Sequence, residues 1–434
     1  MRFFSLFVAR KASNNILHVF SLLFLVLVLA SCASAPYQGV EVDSQSFLDR
    51  VVTQEQENLR VSASVPTADE SFALTGLDLY EQGIQPVWLN IENRGSDRAR
   101  VALWSIDSEY FSPIEVAYMN RKKFSKEGYQ DMERWFYSNG LPRFIPPGES
   151  RSGLVFTHLR PGTKGFNLVL FSDKTAHDFT FFVPLPGFVP DFMKVDFDSL
   201  YADHEIQEFD RQGLQHMLEN ELPCCAAVDT GESKGMPLNV VMIGSGPAIR
   251  RAMLRGAWLE TSSDPEVAVG VRSQRFEGRQ PDAVFSKKRL DGNERIIVTL
   301  WMAPWQINAD QIWVGQVVYY SEDDSIFGSA DENTSSYSEF LSFFARESVA
   351  ADLDSAQRFL FQNYWYSGSL KLIGYSEGVG EHTMDEPGKG STGIPYFTDG
   401  LRLVMVISED PMAINETKFF LDQRGTNWEK EDEG

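Results

Sequence analysis

The sequence predicts a mixed α+β protein of more than one domain: an N-terminal antiparallel β-sandwich followed by an α/β domain on a mixed sheet. Three patterns carry that prediction. Between residues 45 and 195, short alternating apolar runs are punctuated by proline and glycine turns, as in a sandwich. Residues 205–220 switch to a helical period. From residue 238 to about 408, strand-like and helix-like segments then intermingle.

The elements follow in order. Pro86–Asn93 places Val87, Leu89 and Ile91 on one face, and Arg94-Gly95-Ser96 turns the chain into a strand over Ala99–Ile106. Further strands are predicted at Gly153–Leu159, Phe166–Phe171 and Asp178–Val183, separated by turns such as Ile145-Pro146-Pro147-Gly148 and Pro161-Gly162. Lys122–Asn139 interrupts them as a helical or irregular insertion. A helix is predicted over residues 205–220, with Ile206, Phe209, Leu214, Met217 and Leu218 inward and Pro223 closing the segment. Leu238–Ile243 reads as a buried strand. Gly244-Ser245-Gly246-Pro247 then caps a helix running through Ala257. Strands are expected at Arg279–Lys287, Arg295–Trp301 and Gln311–Tyr319, the last two paired. A helix over Asp352–Tyr366 and strands at Leu370–Tyr375 and Leu401–Ser408 complete the domain. The expected organisation is 1–31 leader, 32–44 anchor and tether, 45–195 sandwich, 196–225 helical connector, 226–425 α/β domain and 426–434 acidic tail.

The first 31 residues have the form of an export signal: Arg2, Arg10 and Lys11, then the apolar run Ile16–Leu29, then Ala30 and Ser31. That run is shorter than the ~20 residues needed to span a bilayer core. Leu29-Ala30-Ser31-Cys32 resembles the lipobox of bacterial lipoproteins. The resemblance implies that Cys32 becomes the acylated N-terminus, and Ala33 after it implies the outer membrane of a Gram-negative envelope. Two or three acyl chains give stable anchoring where one does not.

The whole chain carries 39 Lys+Arg against 61 Asp+Glu. Losing Arg2, Arg10 and Lys11 with the leader leaves 36 against 61, a formal net charge of −25. That balance excludes nucleic acid, which requires a basic footprint, and leaves the lipid anchor as the expected membrane contact. With Cys32 acylated, only Cys224 and Cys225 remain. Neighbouring Cα atoms lie ~3.8 Å apart, below the usual disulfide range of about 4.4–6.8 Å. The sequence therefore favours two buried thiols over a vicinal disulfide.

From Pro237 onward the chain resembles the C-terminal domain family named after LssY. The likeness lies in Pro237-Leu-Asn-Val-Val-Met-Ile-Gly-Ser245, Arg255-Gly-Ala-Trp258, Gly278-Arg-Gln-Pro-Asp282, Trp313-Val-Gly315 and Pro395-Tyr-Phe-Thr-Asp-Gly400. Leu222-Pro-Cys-Cys225 looks like the lead-in of its lipoprotein members. The resemblance implies an α/β domain with no established reaction. The family's His and Arg positions on one strand fall within Ile296-Ile-Val-Thr-Leu-Trp301, and an expected Arg-Asp pair is Tyr319-Tyr320, which weakens an enzymatic reading.

Three places invite chemistry. Arg272, Arg275, Arg279, Lys287, Lys288 and Arg289 face only Glu277 and Asp282, so this stretch is the candidate site for an anionic small molecule or lipid headgroup; its plain reading is a solvated strand face. Arg279 is the best single ligand. The long segment 377–400 holds six glycines and Tyr396, Thr398 and Asp399, a candidate site-bordering loop or an exposed one. Gly244-Ser245-Gly246 lacks the flanks of a nucleophile elbow and the lysine of a phosphate loop. No cofactor or metal is expected, because His158, His177, His204, His216 and His382 have no ligand spacing. The expectation is a non-catalytic envelope lipoprotein that binds an anionic ligand or an envelope protein. A hydrolase of envelope lipids or phosphate esters and an assembly scaffold are the alternatives.

Overall fold

A computed structural model describes residues 36–160, 163–187, 191–197, 199–228, 235–260, 274–288, 294–321, 351–390 and 395–419. The leader, Cys32, Arg272, Arg289, the Lys288 side chain and the acidic tail lie outside the described residues. The fold is α+β, and the chain divides into two compact units, 1–160 with 168–179 and 161–167 with 180–434.

The first unit is built on antiparallel strands β1 (Val52–Gln56), β2 (Leu59–Ser64), β3 (Ile84–Asn93), β4 (Ala99–Ala102), β5 (Phe144–Ile145) and β6 (Ser150–His158), together with residues 168–172 of β7 (Lys164–Ser172) and 175–179 of β8 (Thr175–Val183). They form two four-stranded sheets, ordered β1-β2-β3-β6 and β5-β4-β7-β8. Asp173 and Lys174 both take positive φ, 51° and 65°, the tight turn whose twist suits a two-residue hairpin. Asn93 joins the sheets, its Nδ2 donating to the Ile145 carbonyl at 3.0 Å.

Among the described residues, three helices cover this unit: α1 (Ala68–Thr75), α2 (Pro113–Asn120) and α3 (Lys126–Asn139). Thr67 with Glu70, and Ser112 with Glu115, form reciprocal capping boxes, and Ser125 caps α3. Each cap satisfies amides that the first turn cannot. The expected insertion is thus two helices, and their apolar faces pack Val116, Ala117, Met132 and Phe136 against Trp88, Leu154 and Phe156 of the sheet. The expected tether to residue 44 is shorter than the sequence suggested. Tyr37 and Val42 belong to this same core, and the Val40 amide donates to the Leu74 carbonyl at 3.2 Å. Aromatic and apolar residues in a polar stretch found a core to enter.

The second unit centres on a nine-stranded mixed sheet. Its strands are β9 (Gln207–Phe209), β11 (Val240–Ile243), β12 (Leu259–Glu260), β14 (Ala283–Lys288), β15 (Glu294–Ile307), β16 (Asp310–Ser321), β18 (Leu370–Ser376), β21 (Arg402–Ile407) and β22 (Lys418–Phe419). The small strands β10 (Ala227–Val228) and β13 (Gln274–Arg275) pair, as do β17 (Ala351–Asp352), β19 (Gly388–Lys389) and β20 (Pro395–Phe397) in a three-stranded sheet. Short β11 is the pivot, antiparallel to β16 and parallel to β21. β15 and β16 form a long hairpin turned by Asn308 and Ala309, both at positive φ.

Alternation along these strands fills two opposite faces. Val240, Met242, Val298, Leu300, Trp313 and Leu403 face α5 (Gly246–Arg255) and α6 (Leu353–Tyr366). Val241, Trp301, Ile312, Val314 and Val404 face α4 (Arg211–Asn220). The helix predicted from residue 205 starts later. Asp210 caps it through the Gly213 amide at 2.7 Å, while Gln207–Phe209 pair in parallel with Trp305–Ile307. Extended backbone lets the Phe209 ring meet Trp305 at 6.4 Å, and that contact overrides the helical period.

Candidate functional site

The basic stretch is spent inside the fold. Arg279 leads out of a tight turn at Glu277 and Gly278 and points back over the sheet. One guanidinium nitrogen donates to the Tyr201 hydroxyl and to the Met302 carbonyl, the latter at 3.0 Å, and the other to Asp282 Oδ1. The second Asp282 oxygen accepts the Met302 amide at 2.8 Å. Burial raises the Asp282 pKa against the opposing pull of Arg279, and burial pushes Tyr201 up to about 12. The arrangement ties the 279–282 turn to the end of β15.

Its neighbours are similarly engaged. Lys287 donates to the Gly256 carbonyl at 2.6 Å and to Asn363 Oδ1, with Phe359 5.5 Å from its nitrogen. Arg275 donates to the carbonyl of Gln274 at 2.9 Å. Of the expected ligand set, no described member is gathered around a common anion position. Strand residues lie close to neighbouring carbonyls and helix ends, so cations there are drawn into structural bonds.

The described parts of the segment 377–400, residues 377–390 and 395–400, are folded rather than irregular. His382 and Thr398 exchange backbone bonds at 3.0 and 2.8 Å, and Gly388 pairs with Tyr396. Tyr396 is buried against Met236, Val318 and Leu353, with the His382 ring edge-on at 5.2 Å. Thr398 is buried and donates to Asp354 Oδ1 at 2.8 Å; the Asp399 amide donates to both Asp354 oxygens. Asp354 is the residue that sequence reasoning missed. Its only signal was its place in the first turn of α6 behind the Asp352 cap. Burial, with Asp399 and Asp352 adding repulsion, raises its pKa despite the bond from Thr398. These groups clamp a loop to a helix start.

The two candidate regions do not converge. Arg279 docks at Met302, whereas Tyr396 packs on Val318, whose partner across the ladder is Ile297. Five residues along β15 separate them, about 17 Å at ~3.3 Å per residue. Among the described residues, no three His, Cys, Asp or Glu side chains converge as a metal site.

Cys224 and Cys225 form a vicinal disulfide across a trans peptide, with Cα atoms 3.8 Å apart, and both are half-buried. The favoured pair of buried thiols is thereby corrected. Leu222 and Ala226 take the core positions, while the pair between them sits where Leu238 bonds the Cys224 carbonyl at 2.8 Å. Arg402 fixes this segment. It is fully buried and donates to the carbonyls of Leu238, Leu222, Pro223 and Gly378 at 2.6–3.0 Å. Burial lowers its pKa to about 10, and among the described residues no carboxylate pairs with it.

The stretches that carried the family resemblance are architectural here. Ser245 caps α5, accepting the Ala248 amide at 3.1 Å. Trp313 donates to the Gly244 carbonyl at 3.1 Å. A Cβ on Gly315 would lie 2.6 Å from the Thr299 carbonyl oxygen, so only glycine fits between the two long strands. Comparison with protein-family models finds no match, and comparison with curated proteins finds none either.

Proposed function

We propose that this is an acylated lipoprotein of the bacterial envelope, held at the periplasmic face of the outer membrane through Cys32. In this reading the second unit, an LssY-like domain, is a binding or accessory module rather than a catalyst. The observation that carries it is the commitment of Arg279. An oxyanion site needs donors aimed at the position where charge develops, and the donors of Arg279 are aimed at Tyr201, Met302 and Asp282. Arg279 is thus held away from a small anion, and an envelope protein is the partner class that does not require it.

Two measurements test the reading. Purified mature protein, screened against phosphate esters and envelope lipids, is expected to show no turnover that Arg279→Ala removes; such turnover would replace the accessory reading with a hydrolase. Cys32→Ser is expected to abolish palmitate incorporation in cells and release the chain from membranes. Labelling equal to that of the parent would falsify the anchor.

A further inference from the structure

The first unit carries a second group of cations, close to where an anchored chain would meet its membrane. Tyr37 is buried in the helical core, its ring 5.4 Å from Phe124 and 6.2 Å from Trp135. It follows Cys32 by five residues, which span at most about 18 Å when extended. Acyl chains on Cys32 would therefore hold the Phe124 end of this unit at the headgroup layer.

Phe124 lies within Arg121-Lys122-Lys123-Phe124-Ser125-Lys126, the bend between α2 and α3. Lys122, Lys123 and Lys126 are exposed and make no ion pair or hydrogen bond among the described residues. Arg121 lies over the Tyr118 ring at 3.7 Å, and Tyr118 and Met119 are 53% and 44% exposed. The nearby anions are partly engaged: Glu115 is turned back onto the Ser112 amide at 3.1 Å, Glu133 accepts the Tyr129 hydroxyl at 2.7 Å, and Glu127 sits in the first turn of α3. The net negative charge of the chain does not cancel such a patch, because screening confines surface fields to about 8 Å at physiological ionic strength.

Resting on the acylation of Cys32, we propose that Lys122, Lys123 and Lys126, with Tyr118 and Met119, form a docking face for an anionic phospholipid leaflet, the one that holds the anchor. The first unit then lies against the bilayer instead of hanging from it. The charge complementarity and the short reach from Cys32 to Tyr37 both favour a membrane over a protein partner at this face.

The test uses the soluble chain from Ala33, which keeps every described residue, and phosphatidylcholine vesicles with or without phosphatidylglycerol. The chain is expected to partition onto the anionic vesicles only, and added salt should release it. Each lysine near such a surface contributes about fivefold, so the triple Lys122→Gln, Lys123→Gln, Lys126→Gln variant should bind on the order of a hundredfold more weakly. An unchanged circular-dichroism melt would show that the variant is folded. Equal binding of parent and variant, or equal binding to both vesicle types, overturns the docking face. Palmitate labelling of the full chain is scored separately. Lost label with retained anionic binding sinks the anchor alone; retained label without anionic binding sinks the docking face alone.

Discussion

Two basic stretches of similar composition have opposite fates. In the second unit, Arg275, Arg279 and Lys287 donate to carbonyls, a carboxylate, a hydroxyl and an amide oxygen of the fold. In the first unit, Lys122, Lys123 and Lys126 are exposed and have no such partners among the described residues. Context accounts for the difference. Cations on or beside strands lie near the carbonyls and loop ends of a packed sheet, where a charge-assisted bond stabilises more than a neutral one. On the bend between α2 and α3, Arg121 donates to the Tyr118 carbonyl at 2.8 Å, whereas the three lysines meet no such acceptor among the described residues. Charge density in a sequence thus shows where cations are, while the element that carries them decides whether they stay available.

The largest test of this contrast is Arg402, the most deeply committed cation. Arg402→Met keeps the stem but leaves the carbonyls of Leu238, Leu222, Pro223 and Gly378 without their donor. Unsatisfied buried acceptors cost about 1–3 kcal/mol each before water enters. A loss of about 3–5 kcal/mol in the unfolding free energy of the second unit is expected in a urea titration. A loss below about 1 kcal/mol would show that commitment of this kind is incidental.

A committed cation in the first unit shows that the contrast belongs to local context and not to the unit. Arg50 grips Glu70 through two bonds of 2.9 and 2.6 Å, and that grip holds the Glu70 pKa near 2 against an ordinary 4.5. The folded value lies below the unfolded one, so the stabilisation is whole above about pH 4.5 and disappears as pH falls towards 2. Discounted for solvent screening of a partly exposed pair, it amounts to on the order of 1–2 kcal/mol at neutral pH. Asp354 in the second unit has the opposite sign, because its pKa is raised by burial. Its contribution is present below the unfolded carboxyl range and is lost as pH rises through the folded value. Above about pH 4.5, Glu70→Gln should be less stable than the parent, and the two stability curves should converge as pH falls towards 2; curves that stay parallel would contradict the grip.

Much of the fold was legible because it rests on periodicity. The alternation of Val87, Leu89 and Ile91, the paired runs of β15 and β16, and the Ser245 cap all follow from local rules. What was not legible depends on distance in space. The fate of Arg279 turns on Tyr201 and Met302, 78 and 23 residues away in sequence. The vicinal disulfide joins sequence neighbours at a Cα spacing of 3.8 Å, below the range that usually marks a disulfide, so spacing alone argues against it. Residues 207–209 became a strand because Trp305 offered a parallel partner, which no window of helical period records. Of the candidate site, Tyr396, Thr398 and Asp399 do lie together, but the partner that organises them is Asp354, 45 residues before Asp399.

The smallest expected effect is also the sharpest check on the free stretch. Replacing Lys122, Lys123 and Lys126 together by glutamine removes three charges that support no bond among the described residues. Surface changes away from caps, cores and ion pairs lie within about 0.5 kcal/mol. The bend itself is held by groups the variant leaves in place: the Ser125 cap on the Gly128 amide at 3.0 Å, the burial of Met132 and Phe136, and the Phe124 ring against Tyr37. Melting of the first unit should therefore be unchanged within error while anionic-vesicle binding falls. A matching loss of stability would mean that these lysines are committed after all, and the distinction between the two stretches would collapse.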